Sequence, residues 1–475
     1  MPTYGGFKMK LKPWGHQLKA LKFLYKRDRG ALYTAPGSGK TKVMIDLIVN
    51  RGWKRVLVVA PKVPCKDVWV DEILLHSDIP RKNIVLLVDL TGEQKADLLK
   101  TYKKPTEDEG TTIFICNYDS VWREPVRRIW FYKKLALDCV ICDESHKIKS
   151  PGGKASGFLA QLGKLVPCGY AMTGTPMAER PEDVYAQYRF IDRSIFGTNY
   201  DEFEARYINI DIKASAGKNY IIKDKKQPYK NLDELREKMF SCAFSMPPTI
   251  KLPKTNSMPV EIPMPKKLRQ IYLELREEGA TELGEGFLTI DNILAQSVRL
   301  QQVTSGYLAL ENDDGDRWLE RVSTYRRTAL LKYLRGIPES EPVVIFAKFK
   351  KDLLSIRKVA ERLGYGYSEV SGSENTLADW KKGKTRFLGV QYGSGSEGIN
   401  LTRSHICIFY SLEQSLAKYD QAVKRIHRPG QKKPCLYVHF IATLEGERTI
   451  DQKIMTSLET KKSLVELIMS GEETL

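Results

Sequence analysis

The chain has 475 residues, 42% hydrophobic and 28% charged, a balance that excludes a disordered or collagen-like polymer. Lys and Arg number 76 against 58 Asp and Glu, so the formal charge is +18. Such an excess suits a polyanionic partner, nucleic acid above all, with general solubility as the bland alternative. No apolar run approaches the roughly 18–20 residues that cross a bilayer. The basic segment Met1–Gly15 lacks the apolar stretch of a signal peptide, so the expectation is a cytoplasmic protein with no membrane partner. Eight cysteines in a chain this long do not make a disulfide framework and are expected to be reduced. Cys139 and Cys142 have no second pair to complete a zinc site, and strand residues three apart point to opposite faces.

Apolar, β-branched runs alternate with helical stretches, the pattern of mostly parallel α/β sheets. The first series is Val56–Ala60, Thr112–Cys116, Cys139–Cys142 and Tyr170–Thr173. The second is Val343–Ala347, Phe387–Gln391, Ile406–Tyr410 and Leu436–Ile441. Between them, from about Pro176 to Pro342, strand-like runs thin out and helical periodicity appears in Asn231–Phe240, Lys266–Glu278 and Asp291–Leu308. Prolines 247, 248, 253, 259, 263 and 265 favour extended linker structure over helix or central strand. The expected organisation is two α/β lobes, 1–245 and 246–475, with a helical insertion from about 177 in the first and another to about 335 in the second.

Thr34–Thr41 reads TAPGSGKT, after the apolar stretch Gly30–Tyr33 and before a helix whose apolar face is Val43, Met44, Leu47 and Ile48. This is the strand–loop–helix setting of a phosphate-binding loop. Pro36, Gly37, Ser38 and Gly39 would wrap backbone N–H groups around phosphate oxygens at a positive helix terminus. Lys40 would neutralise the β- and γ-phosphates, and the Thr41 hydroxyl would ligate Mg²⁺. A Gly/Ser turn capping a helix looks similar in isolation. About a hundred residues on, a strand-like run leads into Asp143-Glu144-Ser145-His146. Carboxylates at the end of a parallel strand lie where α/β sheets bind ligands. Asp143 would hold Mg²⁺, and Glu144 would orient and deprotonate water. Much later, Gln421, Arg425 and Arg428 fall at i, i+4 and i+7, one face of a helix that Pro429-Gly430 would break. That face is either solvated or a pair of arginine fingers for a transferring phosphoryl group.

Together these residues resemble the superfamily-two helicase-type ATPases, specifically the Swi/Snf family of double-stranded DNA translocases. The likeness runs almost end to end. Leu11–Gln17 resembles the adenine-reading segment, with Gln17 at its glutamine; Thr34–Thr41 is motif I; Val56–Glu72 resembles motif Ia with its tryptophan. Asp143–His146 is motif II, DESH for the usual DEAH, and Thr173-Gly174-Thr175-Pro176 is motif III. Val344–Phe349 resembles motif IV, Gly395–Thr402 motif V, and Gln421–Gln431 motif VI. Thr34 replaces the first glycine of the strict motif I, as is common in helicase-like ATPases. Thr34–Thr41 stands where chromatin remodelers commonly carry Asp-Glu-x-Gly-x-Gly-Lys-Thr, and Ser411–Ala417 where a Trp-Asn-Pro element is usual before motif VI. Both departures point away from a typical eukaryotic remodeler and toward a compact phage or prokaryotic motor.

The resemblance implies two RecA-like lobes with parallel sheets and helical insertions, using ATP and Mg²⁺ and acting as a monomer on double-stranded DNA. Lobe 1 would supply Gln17, the phosphate loop, Asp143 and Glu144; lobe 2 would supply Gly398, Arg425 and Arg428. His146, Thr173, Thr175, Asn400 and Gln421 would couple nucleotide state to DNA grip. Candidate DNA contacts are Lys62, Asn117 and Lys348, for which ordinary solvation is the alternative. The basic stretch Ile212–Lys230, with Lys213, Lys218, Lys223, Lys225, Lys226 and Lys230, is another candidate, with a disordered charged loop as the alternative. A strand-separating helicase shares the same ATPase residues and is the second reading; a non-catalytic DNA-binding scaffold is the third.

Overall fold

The computed structural model describes residues 1–130, 135–215, 218–224, 227–246, 252–278, 280–283, 286–289, 293–312, 314, 316–393 and 399–470. Two units emerge, Met1–Lys251 with Ser463–Leu475, and Leu252–Lys462.

The first unit is built on seven strands: β1 (Arg29–Tyr33), β2 (Arg55–Ala60), β3 (Ile84–Leu86), β4 (Thr112–Asn117), β5 (Cys139–Asp143), β6 (Cys168–Thr173) and β7 (Ala243–Ser245). All pair in parallel, in the order β7-β1-β6-β5-β2-β4-β3. Both faces of this sheet are covered, which is why its strands read as unbroken apolar runs. Leu57 and Val59 enter one core cluster while Val56, Val58 and Ala60 enter the other. Each fully buried side chain of this kind stabilises the fold by about 2 kcal/mol. Cys142 and Cys139 divide between the same two clusters, so the pair faces opposite ways, as strand geometry requires. All eight cysteines are free.

The second unit holds six parallel strands, β8 (Thr255–Pro263), β9 (Val343–Ala347), β10 (Tyr367–Val370), β11 (Phe387–Gln391), β12 (Ile406–Phe409) and β13 (Cys435–Thr443), ordered β8-β13-β12-β9-β11-β10. The chain therefore carries two parallel α/β sheets of the RecA-like kind.

The middle of the chain differs from the reading of its sequence in three places. Of the prolines expected in extended linker, Pro259 and Pro263 lie in an edge strand, β8, opposite His439 and Thr443 of β13, while Pro247 and Pro248 lie outside the described residues. An edge strand has one row of backbone groups with no ladder to serve, so proline is tolerated there. The stretch 177–335 is also not purely helical. It contains an antiparallel hairpin, Ile210–Ser215 with Lys218–Lys223, and a four-stranded antiparallel sheet, Ala280–Leu283, Gly286–Thr289, Tyr307–Glu311 and Arg317–Arg321. The helix expected over 291–308 spans Ile293–Thr304 and gives way at Gly306 (φ 87°) to the strand starting at Tyr307. Among the described residues no helix is long and apolar enough to cross a membrane.

Candidate functional site

In the first unit the sheet order brings three loops together. β1, β6 and β5 are adjacent, with Tyr33 opposite Thr173 and Asp143 opposite Met172, so the segments following all three leave the same edge. The first of these is the phosphate loop, which passes through Gly37 (φ 80°) and Gly39 (φ 77°) into the helix Lys40–Arg51. A side chain at Gly39 would also strike the Gln17 amide at 2.1 Å, so both conformation and space demand glycine there. Thr34 Oγ1 and Ser38 Oγ share a buried hydrogen bond of 2.8 Å that closes the loop. Lys40 is buried, and its Nζ donates to Thr34 O at 3.0 Å. Thr41 follows in the first helical turn, half-buried. The helix ends at Gly52, whose N–H bonds to Val49 O.

Gln17, on the helix Gly15–Tyr25, touches this loop directly. Its Oε1 accepts from Trp14 N (2.8 Å) and its Nε2 donates to Ser38 O (3.2 Å). His16 Nε2 lies 2.8 Å from the same carbonyl, which can only accept, so the ring carries its proton on Nε2. Beside the motif glutamine, His16 carries no signal of its own in the sequence.

Asp143 ends β5, buried, with Oδ2 accepting from the Trp69 indole at 2.9 Å. Burial and the adjacent Glu144 push its carboxyl upward, against Trp69 and Lys40, which pull it down. Glu144 sits at φ 51°, ψ 52°, a left-handed conformation uncommon outside glycine. Strain of this kind gathers at functional sites. Its Oε2 accepts from Thr173 Oγ1 at 3.0 Å and lies 3.3 Å from His146 Nδ1. Burial alone would raise Glu144 as well. The His146 contact, the Lys40 charge and the Thr173 bond outweigh it and hold the group well below the usual carboxylate range.

Thr173 is the hub of this network. Its one proton goes to Glu144, while its oxygen accepts from Thr175 N (3.1 Å) and meets His146 Nδ1 at 3.0 Å. With the hydroxyl proton committed, His146 must donate through Nδ1. Gly174 packs so tightly on Pro36 that a Cβ there would come within 2.7 Å of the proline ring. Beneath these contacts, Ser145 and Gln187 form a second, fully buried link that no sequence motif signalled.

The candidate DNA contacts fare differently. Lys62, exposed and 3.8 Å from Asp89, and Asn117, buried and accepting from Ser120 Oγ at 2.6 Å, line one cavity of about 380 Å³. Lys95 lines it too, only 5% exposed and within electrostatic reach of Asp89. Lys348 is half-buried and tied to Gln301 Oε1, and burial lowers its ammonium from the ordinary value. Lys223 pairs with Glu182. Lys225, Lys226 and the side chains of Lys213 and Lys218 lie outside the described residues, and Lys230 is exposed.

In the second unit the helix Leu416–Ile426 carries Gln421 and Arg425 but stops two residues before Arg428. The expected single face therefore holds for the first two residues only. The reason is local: Arg428 precedes Pro429, which disfavours helical backbone, and His427 has already left it at ψ 82°. Arg428 instead donates to Ile399 O at 3.2 Å, while Leu401 N bonds to Arg425 O and Gln431 Nε2 to Ser404 O (2.8 Å). These bonds join the segment 399–404 to 425–431. Asn400, exposed, accepts from Thr402 N at 3.0 Å, and Gln421 is half-buried. Gly398 lies outside the described residues.

Comparison with known proteins bears on the family. The SNF2-related domain matches residues 16–307, and the helicase conserved C-terminal domain matches 326–430. Putative protein p41 of Acyrthosiphon pisum secondary endosymbiont phage 1 is 23% identical, covering 97% of this chain and 98% of its own. DNA repair and recombination protein RDH54 of Saccharomyces cerevisiae (strain JAY291) is 24% identical over 72% of this chain, but the match spans only 38% of that relative. Among solved structures, the Sulfolobus solfataricus SWI2/SNF2 ATPase core in complex with dsDNA aligns over 99% of this chain and 96% of its own, at 17% identity and a TM-score of 0.44. With a domain match over more than half its length and a second following in order, the chain belongs to the SNF2-related family of helicase-like ATPases.

Proposed function

We propose that this protein hydrolyses ATP to move along double-stranded DNA with little regard to sequence. The observation that carries the reading is the convergence, at three adjacent strand ends, of Lys40, Asp143, Glu144 and Thr173. The phosphate loop and Lys40 hold the β- and γ-phosphates, and Gln17, bonded to Ser38 O, would read adenine. Asp143 and Thr41 suit Mg²⁺, because a buried carboxylate with a second carboxylate beside it favours a hard divalent cation. That ion, when bound, neutralises charge on the phosphate oxygens.

Glu144, kept ionised by its neighbours, orients a water molecule toward the γ-phosphorus and accepts its proton. The new bond forms as the bond from phosphorus to the bridging oxygen breaks, and ADP departs with the electron pair. Arg425 and Arg428 of the second unit stabilise the charge spreading over the phosphoryl oxygens. Hydrolysis changes the charge that these groups face. His146, Thr173 and Thr175, with Asn400 and Gln421, would carry that change toward the DNA.

For DNA, the support is the +18 charge, family membership and the cavity shared by Lys62, Asn117 and Lys95. A lysine lining such a cavity suits a phosphodiester oxygen. Contacts of that kind grip the backbone without reading bases. Lys348 would have to leave Gln301 to join them. A triplex-displacement assay beside a forked-duplex unwinding assay tests the motor reading. Displacement of the third strand without unwinding is expected; unwinding of the fork without triplex displacement would replace translocation on duplex by strand separation.

A further inference from the structure

The loops after β5 and β6 are fastened to each other twice. The upper fastening is the Glu144–Thr173–His146 network, partly open to solvent, with 27% of the Glu144 side chain accessible. The lower one is wholly buried. Ser145 Oγ donates to Gln187 Oε1 at 2.7 Å, and Gln187 Nε2 donates to Pro176 O at 2.6 Å and to Asp183 O at 2.9 Å. Ser145 and Gln187 are both 0% exposed. The amide can sit only one way round, because turning it would set its oxygen against two carbonyls. Both of its protons are spent, and its oxygen accepts from Ser145 Oγ.

The geometry matters because Ser145 adjoins Glu144, while Pro176 closes the Thr173–Pro176 loop. Glu144 is held at a left-handed backbone conformation that its own side chain does not favour. A covalent neighbour locked beneath it is one means of keeping it there. We propose that Ser145 and Gln187 are a positioning pair that sets the spacing between the two loops and so aligns Glu144 for ATP hydrolysis, a proposal that rests on the reading above. Neither residue touches substrate; both act through Glu144 and Thr173.

The test is steady-state ATP hydrolysis with duplex DNA by the wild type, Ser145→Ala, Gln187→Leu and the double variant, with nucleotide affinity and Tm measured on each. Ser145→Ala removes one hydroxyl and leaves no bulk to accommodate, so it guards against misfolding of the Gln187 variant. A small displacement of a reacting group lowers rate far more than affinity, so kcat should fall roughly tenfold. ATP affinity should stay within about twofold of wild type, and the double variant should be no slower than Gln187→Leu alone. A Ser145→Ala enzyme with unchanged kcat and only a lowered Tm would overturn the proposal, as would equal losses in kcat and affinity, or losses that add in the double variant. A wild-type chain that hydrolyses no ATP would overturn the underlying reading instead.

Discussion

Lys40 and Glu144 do different work in this account, and their variants should separate. Lys40→Ala removes the charge that meets the phosphates, so both ATP binding and turnover should be lost. Glu144→Gln keeps the shape of the side chain and should bind ATP while turnover falls by at least about 100-fold, the scale of general-base catalysis. A quench-flow experiment with labelled ATP would show bound but uncleaved nucleotide. Trp69→Phe keeps a ring against the core but removes the donor to Asp143 Oδ2. Leaving a buried carboxylate without that donor costs about 1–3 kcal/mol. The Mg²⁺ concentration for half-maximal hydrolysis should therefore move several-fold, and an unchanged Mg²⁺ profile would detach Trp69 from the site. Arg428→Ala should abolish hydrolysis without lowering ATP affinity on the first unit; normal stimulated turnover would remove that arginine from the mechanism.

The site-bearing strands were legible in the sequence because they lie at the centre of covered sheets, where burial on both faces leaves no polar position to blur the run. The Thr34–Thr41 loop was legible for a related reason: few residue patterns satisfy its backbone, and Gly37 and Gly39 mark it. Elements set by pairing rather than by burial were not. β8 is largely exposed and rich in proline, so nothing in its composition marks it as a strand; β13 beside it does that. The Ser145–Gln187 link joins residues 42 apart by shape alone, and spacing cannot reveal it. Arg428 was misplaced by following a helical period through a residue that precedes proline.

The second unit also carries two buried titrating groups of opposite effect. Burial pushes His439 down to about 4, so its neutral form supports the fold above the unfolded value near ~6.5, and that support is lost as pH falls toward 4. Burial raises Asp352 to about 6, so protonating it favours the folded state over the lower part of the same range. The two contributions, each on the order of 3 kcal/mol, offset one another. Asp352→Asn removes the offset. Its Tm should fall more steeply than that of the wild type between pH 6.5 and 4, and parallel curves would contradict the assignment.

At the scale of the molecule, the +18 charge finds little use in the ATP site, where the account employs Lys40, Arg425 and Arg428. The remaining excess fits a phosphate-gripping surface, of which the proposed Lys95 contact would be one part. Affinity for duplex should fall steeply with salt as counterions are released. Lys95→Ala should weaken binding equally on unrelated sequences and make the salt slope shallower by about one. The most direct measurement is the rate of ATP hydrolysis at fixed salt with duplex, single-stranded, forked and RNA substrates. Greatest stimulation by plain duplex DNA is predicted, with sequence of no consequence. Greatest stimulation by RNA, or stimulation only by single strands, would contradict a motor that runs on the double helix.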